Sequence, residues 1–206
     1  MVTNASSRDP EATKARILAA VGEMIVHDGL SSVGVNALAR QAGCDKVLIY
    51  RYFGDLDGVY SAFAARGNFW WSLADLTRDI DPARDSLARA LKLLFRRHAE
   101  ALRTRPVTLA VLAAELNERT PLVVALETVR ERRALELVEW MAKSYPAPLK
   151  IDLAAITMVL GVAVNYLAVR ARTIDRMSGV NIGEDAGWER IFAAIDSVIE
   201  AMVGDV

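Results

Sequence analysis

The stretch Val35–Phe53, VNALARQAGCDKVLIYRYF, decides the fold. It reads as two short helices, Val35 to Ala42 and Asp45 to about Phe53, joined by a tight turn at Gly43, where a positive φ costs glycine least. Helices that cross steeply need small or apolar side chains at the contact. Ala39 is small where the second helix crosses the first, and Leu38, Ala42, Cys44 and Ile49 supply the core between them. The spacing of Ala39, Gly43 and Ile49, by four and then six residues, is that of a helix-turn-helix. An ordinary helical hairpin can share that spacing; the pattern favours DNA binding over it.

Upstream, Asp9 is a good N-cap, Pro10 suits the first helical position and Glu11 complements the positive end of the dipole. Ile17, Leu18, Val21, Met24 and Ile25 then recur on one face until Gly29, a helix-ending glycine. Three helices therefore make up the N-terminal unit. Downstream, the period predicts one helix over Leu56 to Leu76 with Phe69, Trp70 and Trp71 at its far end. Further helices follow, opened by Pro82 (face Leu87, Leu91, Leu94, Phe95, Leu102), by Pro106 through Leu116, and by Pro121 (Leu122, Leu126, Val129, Leu137, Met141). Tyr145-Pro146-Ala147-Pro148 reads as a linker to an apolar helix over Asp152 to Arg172. A loop with Gly179, Gly183 and Gly187 precedes the last helix, whose stripe is Trp188, Ile191, Phe192, Ile195, Ile199 and Met202. No segment alternates like a strand, so the chain is expected to be all-α.

Composition narrows the function classes. The 206 residues carry 25 Lys and Arg against 26 Asp and Glu, and at 53% apolar they can bury a core rather than remain disordered. A single cysteine, Cys44, excludes an internal disulfide and a cysteine metal cluster, and His27 and His98 are too far apart to suggest a histidine site. No metal and no cofactor are expected. There is no Gly-rich phosphate loop, no G-x-S-x-G, no recognisable Cys–His pairing and no Glu-x-x-His, so an enzyme is not expected. The polar Met1–Arg8 lacks the apolar stretch of a signal peptide, which suggests the cytoplasm. Leu153–Val169 is nearly apolar yet shorter than the roughly 20 residues of a membrane span. A helix buried all round, in a bundle core or a subunit interface, accounts for it better.

Residues 13–63, from the first helix through Leu38-Ala39, Ala42-Gly43 and Ile49-Tyr50-Arg51-Tyr52-Phe53, resemble the DNA-binding domain of tetracycline-repressor-like (TetR family) regulators. The Tyr-x-Tyr-Phe ending, about seven residues after the turn glycine, is among that family's most specific local marks. The resemblance implies a helix-turn-helix domain over residues 1–54 and a ligand-binding and dimerisation bundle over 55–206. It implies a homodimer on a palindromic double-stranded DNA operator, most often a repressor released by a small effector. The helix from Asp45 would lie in the major groove, with Lys46, Val47 and Leu48 near bases and backbone, Tyr50 on a phosphate, and Tyr52 at another contact. Asn36 matches a position that touches base or phosphate in some members, and Arg51 can pair with phosphate or guanine. Ile49 and Phe53 match core positions.

Two departures stand out. Leu56 replaces the family's usual lysine, a phosphate anchor, between Asp55 and Asp57, and Val47-Leu48 puts two apolar side chains where small or polar ones are commoner. Residues 1–53 hold Arg8, Lys14, Arg16, Arg40, Lys46 and Arg51 against Asp9, Glu11, Glu23, Asp28 and Asp45, a net charge of +1. That is weak for a nucleic-acid binder, so dimerisation must supply affinity. A module whose helix-turn-helix has little DNA affinity, and which binds protein or lipid instead, is the competing reading.

For the larger domain, the last two helices are the expected dimer surface. A mostly apolar pocket is expected among the helices between, with Trp70, Phe95, Trp140 and Tyr166 as aromatics and His98, Glu115 and Asn117 as polar groups. Arg96-Arg97 and Arg130, Arg132 and Arg133 read as solvated helix faces, and Trp71 and Trp140 as partly exposed. The helix from Leu56, joining the two parts, is the expected coupling element.

Overall fold

The computed structural model describes residues 9–66, 69–146 and 151–203. Met1–Arg8 and the second half of the Tyr145–Pro148 linker, Ala147 and Pro148, lie outside the described residues. Helix α1 (Pro10–Asp28) is capped by Asp9, whose carboxylate accepts from the Glu11 amide at 2.9 Å, and ends at Gly29 with φ +83°. A short 3-10 turn, Leu30–Ser32, leads to α2 (Val35–Gln41) and α3 (Lys46–Phe53). Gly43 between them has φ +59°, the left-handed conformation a side chain would oppose. Ile17, Val21, Leu38 and Ile49 are all fully buried, so the three helices share one small core.

Helix α4 covers Leu56–Ala65 and stops there; α5 is a separate short helix, Leu73–Thr77. The single helix expected over Leu56–Leu76 is thus two, with residues 67 and 68 outside the described residues. The second start has a local cause. Ser72 accepts from the Asp75 amide while Asp75 accepts from the Ser72 amide, a reciprocal cap that opens α5 after the aromatic run instead of continuing through it. Those hydrogen bonds from Ser72 also hold the Asp75 carboxyl below its ordinary range.

Helix α6 (Leu87–Arg103) begins at Ser86, which caps the Arg89 amide, rather than at Pro82, which sits in the turn before it. Then follow α7 (Pro106–Ala114), α8 (Pro121–Ser144), α9 (Leu153–Arg170) and α10 (Asp185–Val203). The glycine loop before α10 folds into a two-stranded antiparallel hairpin, β1 (Arg176–Met177) and β2 (Val180–Asn181), the one strand pair among the described residues. Gly187 lies inside α10 because that turn presses on the hairpin: a Cβ there would sit 1.5 Å from the Asn181 carbonyl oxygen. The chain is all-α in class, an N-terminal helix-turn-helix unit on a C-terminal helical bundle.

The bundle is organised around α6. Helices α9 and α10 both pack on it, and ion pairs Arg96–Glu189 and Arg103–Asp185, with Lys92–Glu200, line the α6–α10 seam. Arg97 bonds the Leu76 carbonyl at 2.8 Å and tethers α5. The Arg96-Arg97 pair therefore spans elements rather than facing water alone. Two buried hydroxyls tie the parts together: Tyr60 on α4 donates to the Val33 carbonyl at 2.7 Å, and Thr108 on α7 donates to the Phe69 carbonyl at 2.5 Å.

Helix α9 departs most from expectation. It has the length and apolar composition to cross a membrane, but only 17% of it is buried within the chain. Leu153, Val164 and Ala168 face inward, while Met158, Val159, Val162 and Tyr166 are 48–62% exposed. It is not buried all round by its own chain; α6 and α7 cover one side only.

Candidate nucleic-acid interface and cavity

Helix α3 begins where Asp45 accepts from the Val47 amide at 2.8 Å. Its inner face is fixed by Ile49, fully buried, with Phe53 packed against the core. The opposite face carries Lys46, Val47, Tyr50 and Arg51, which at spacings of one and four residues form one exposed stripe. Val47 is 62% exposed, an apolar side chain of this size held in water.

Leu48 and Tyr52 are only half-buried, on the shoulders of that stripe. The Tyr52 ring packs toward the core and lies 5.8 Å from the Lys14 ammonium of α1, so part of that residue serves helix packing. Asn36 is exposed on the first turn of α2. The cap of that helix is Gly34, so Asn36 is not spent on capping. Leu56, in place of a lysine, packs against the core at the start of α4, and the cap there is Asp55, which accepts from the Gly58 amide at 2.8 Å.

The second feature is a cavity of about 970 Å³ bounded by α5 to α9 and the Trp70–Trp71 segment. Of the residues expected there, Trp70, Phe95, His98, Glu115 and Tyr166 line it. Asn117 and Trp140 are not among its lining residues. Trp140 meets Tyr145 edge-on, with ring centroids 6.2 Å apart. Asn117 follows the end of α7, in the turn that leads to α8, and is exposed.

One wall is aromatic. Trp70 and Trp71 stack with centroids 4.0 Å apart, and His98 meets the Trp71 ring edge-on at 4.7 Å. Trp71 is 2% exposed, not the partly exposed residue its position suggested. His98 Nε2 lies 2.8 Å from Asn165 Oδ1 on α9. Enclosure by protein pushes the His98 pKa down to about 4, against the hydrogen bonds to Asn165 and the Gly161 backbone, which favour the charged ring. His98 is therefore neutral at pH 7, although its ring keeps a little surface toward the cavity.

Of the polar end, the sequence pointed to Glu115 but not to the arginines that meet it. Arg130 reaches both Glu115 oxygens from one terminal nitrogen, at 2.5 and 2.6 Å, and Arg133 bonds Glu136 at 2.6 Å. Arg130 and Arg133 both line the cavity, three residues apart on α8, instead of facing solvent. The available signal was the absence of an apolar residue between Val129 and Ala134 on a helix whose neighbouring turns face the core. The rim is apolar and open, with Leu116 74%, Leu135 60% and Met158 62% exposed.

Comparison with known proteins agrees with this arrangement. Residues 17–63 match the model described as bacterial regulatory proteins, tetR family. Over 58 residues the chain is 41% identical to a helix-turn-helix transcriptional repressor of Streptomyces coelicolor, a match covering 28% of this chain and 30% of that protein. The chain thus spans less than a third of that curated relative. The fold is shared with a TetR-family transcriptional regulator of Haemophilus influenzae (TM-score 0.60, 18% identity, 89% of this chain and 96% of that one). It is shared as well with the regulator FadR of Bacillus subtilis in complex with stearoyl-CoA (TM-score 0.60, 17% identity, 93% and 98%).

Proposed function

On the match of residues 17–63 to the tetR family of bacterial regulatory proteins, we propose that this chain is a tetR-family homodimeric transcriptional repressor, not an enzyme, that leaves a palindromic operator when a small, largely apolar ligand enters its cavity. The observation that carries this reading is the coexistence in one chain of a bare α3 stripe and an apolar cavity of about 970 Å³. Residues 1–54 act as the headpiece and 55–206 as the effector and dimer domain, in the cytoplasm. Lys46 and Arg51 pair with phosphate or guanine, Tyr50 donates to a phosphate, Val47 and Leu48 meet thymine methyls, and Asn36 and Tyr52 flank them.

Two headpieces in successive major grooves stand roughly 34–36 Å apart, so a two-fold partner must hold them there. Val159 of α9 and Val198 of α10, exposed and outside the cavity lining, supply the surface a second copy would cover. Ligand response is supported by the route from cavity to headpiece. Helix α8 lines the cavity and packs on α4, and the Trp70–Trp71 wall lies a few residues beyond the end of α4. The coupling element is thus α4 with its break before α5, not one long helix. A likeness of fold to FadR with its bound stearoyl-CoA agrees with an effector of apolar character.

Selection from a random duplex pool at low and near-physiological salt tests the reading. A palindrome with half-sites about one helical turn apart supports it. A folded protein that enriches nothing refutes it and turns attention to protein or lipid partners.

A further inference from the structure

We infer that the cavity takes an amphipathic anion, with a long or fused apolar body and a single carboxylate head held at the α8 guanidinium groups; this rests on the ligand-responsive reading above. At about 970 Å³ the cavity stands at the upper end of the range of about 300–1,000 Å³ typical of small-molecule sites. Its body is apolar and aromatic, with Trp70, Trp71, Leu91, Phe95 and Leu137 on the walls, so most of a ligand must be hydrocarbon or ring.

The charge of the head follows from the ionised groups that line the space. Four are guanidiniums, Arg130, Arg133, Arg170 and Arg172, and two are carboxylates, Glu115 and Glu131. His98 is neutral and adds nothing. Glu115 is already bound by Arg130, so it offers no bare carboxylate to a cation. Glu131 is exposed at the rim, where water screens it.

The cationic side is less satisfied. Arg133 gives one terminal nitrogen to Glu136, but its Nε is shut off from water with no hydrogen-bond partner among the described residues. A buried guanidinium N–H left without a partner is costly, and a small reorientation toward a carboxylate would relieve that cost with charge-assisted bonds. Arg170 is half-buried with no ion-pair partner among the described residues, whereas Arg172 is exposed and screened by water as Glu131 is. A cationic or neutral head would leave all of this uncompensated.

The test is direct binding to the whole 206-residue chain, without DNA, by Trp fluorescence and calorimetry. The probes are three of equal chain length, kept below micelle formation: dodecanoate, 1-dodecanol and dodecyltrimethylammonium. Dodecanoate should bind at least about tenfold more tightly than dodecanol, the usual margin of a charge-assisted over a neutral hydrogen bond. Arg133→Gln should remove most of that margin while leaving dodecanol affinity unchanged, which also reports an intact cavity. Glu115→Gln should move it the other way, because it frees Arg130 and strengthens dodecanoate binding alone. Equal or tighter binding of dodecanol or the ammonium probe overturns the anion assignment and leaves the ligand reading standing, as does a margin insensitive to both substitutions. If none of the three binds, the ligand reading itself fails.

Discussion

Replacing Val159 by Asp should split the dimer without unfolding the chain. Val159 is 61% exposed on α9 and is not among the residues lining the cavity, so neither its own core nor the ligand site depends on it. Fully burying a valine is worth about 1.5–3 kcal/mol, and burying the part still exposed about 1–2 kcal/mol. Each substitution appears twice in a two-fold interface, which raises the loss to about 2–4 kcal/mol before the cost of desolvating two carboxylates. At about 1.4 kcal/mol per factor of ten, the dimer constant should weaken at least about thirtyfold. Sedimentation equilibrium over a wide concentration range reads this directly, with far-UV circular dichroism as the check on folding. Operator affinity should fall in step, because a headpiece with net charge +1 holds DNA poorly alone. An unchanged dimer constant in a folded Val159→Asp protein would refute the assignment of α9 to the interface.

Three further outcomes follow from the same structure. Gly58→Ala places a Cβ 1.9 Å from the Phe53 carbonyl oxygen, so the α3–α4 corner must shift; thermal melts should show a loss of about 1–3 kcal/mol or more, with weaker DNA binding. His98 has a pKa lowered from 6.5 to about 4 on folding, so the unfolded chain binds more protons between those values. Stability is then complete above about pH 6.5 and falls as pH drops toward 4, by up to about 3 kcal/mol; urea midpoints at pH 7.5 and 5 should differ less in His98→Gln than in the unaltered protein. In DNA titrations, Lys46→Gln should flatten the salt slope by about 0.9 for each phosphate it no longer neutralises, roughly 2 for a dimer, whereas Leu56→Lys should steepen it while costing some thermal stability.

The headpiece was legible in the sequence because its constraints are local. A turn glycine with positive φ, an Asp45 cap and a buried Ile49 fix α2 and α3 within a dozen residues of one another. The same locality could have shown the α4–α5 break, since Ser72 and Asp75 already have capping-box spacing. The apolar period running through Phe69, Trp70 and Trp71 concealed it. Pro82 and Ser86 competed as helix starts in the same way, and the side chain that bonds an amide prevailed.

The cavity was less legible because periodicity separates inside from outside, not wall from core. It placed Trp70, Phe95 and His98 inward, but it could not tell that Trp140 would spend its ring on Tyr145 or that Asn117 would remain in water. Arginine stems lie along apolar surface while their heads find partners, so Arg130 and Arg133 looked solvated until Glu115 and Glu136 came into place. Helix α9 shows the limit from the other side. Its composition says that it must be covered, and only the fold reveals that its own chain leaves much of that face to something else.

The central claim, two α3 helices in successive major grooves of one duplex, is tested most directly by hydroxyl-radical footprinting on the selected duplex. The account predicts two equal protected windows on one face of the DNA, centred about 34–36 Å apart and abolished together in Val159→Asp. A single window, or two windows that survive in a monomeric variant, would contradict it.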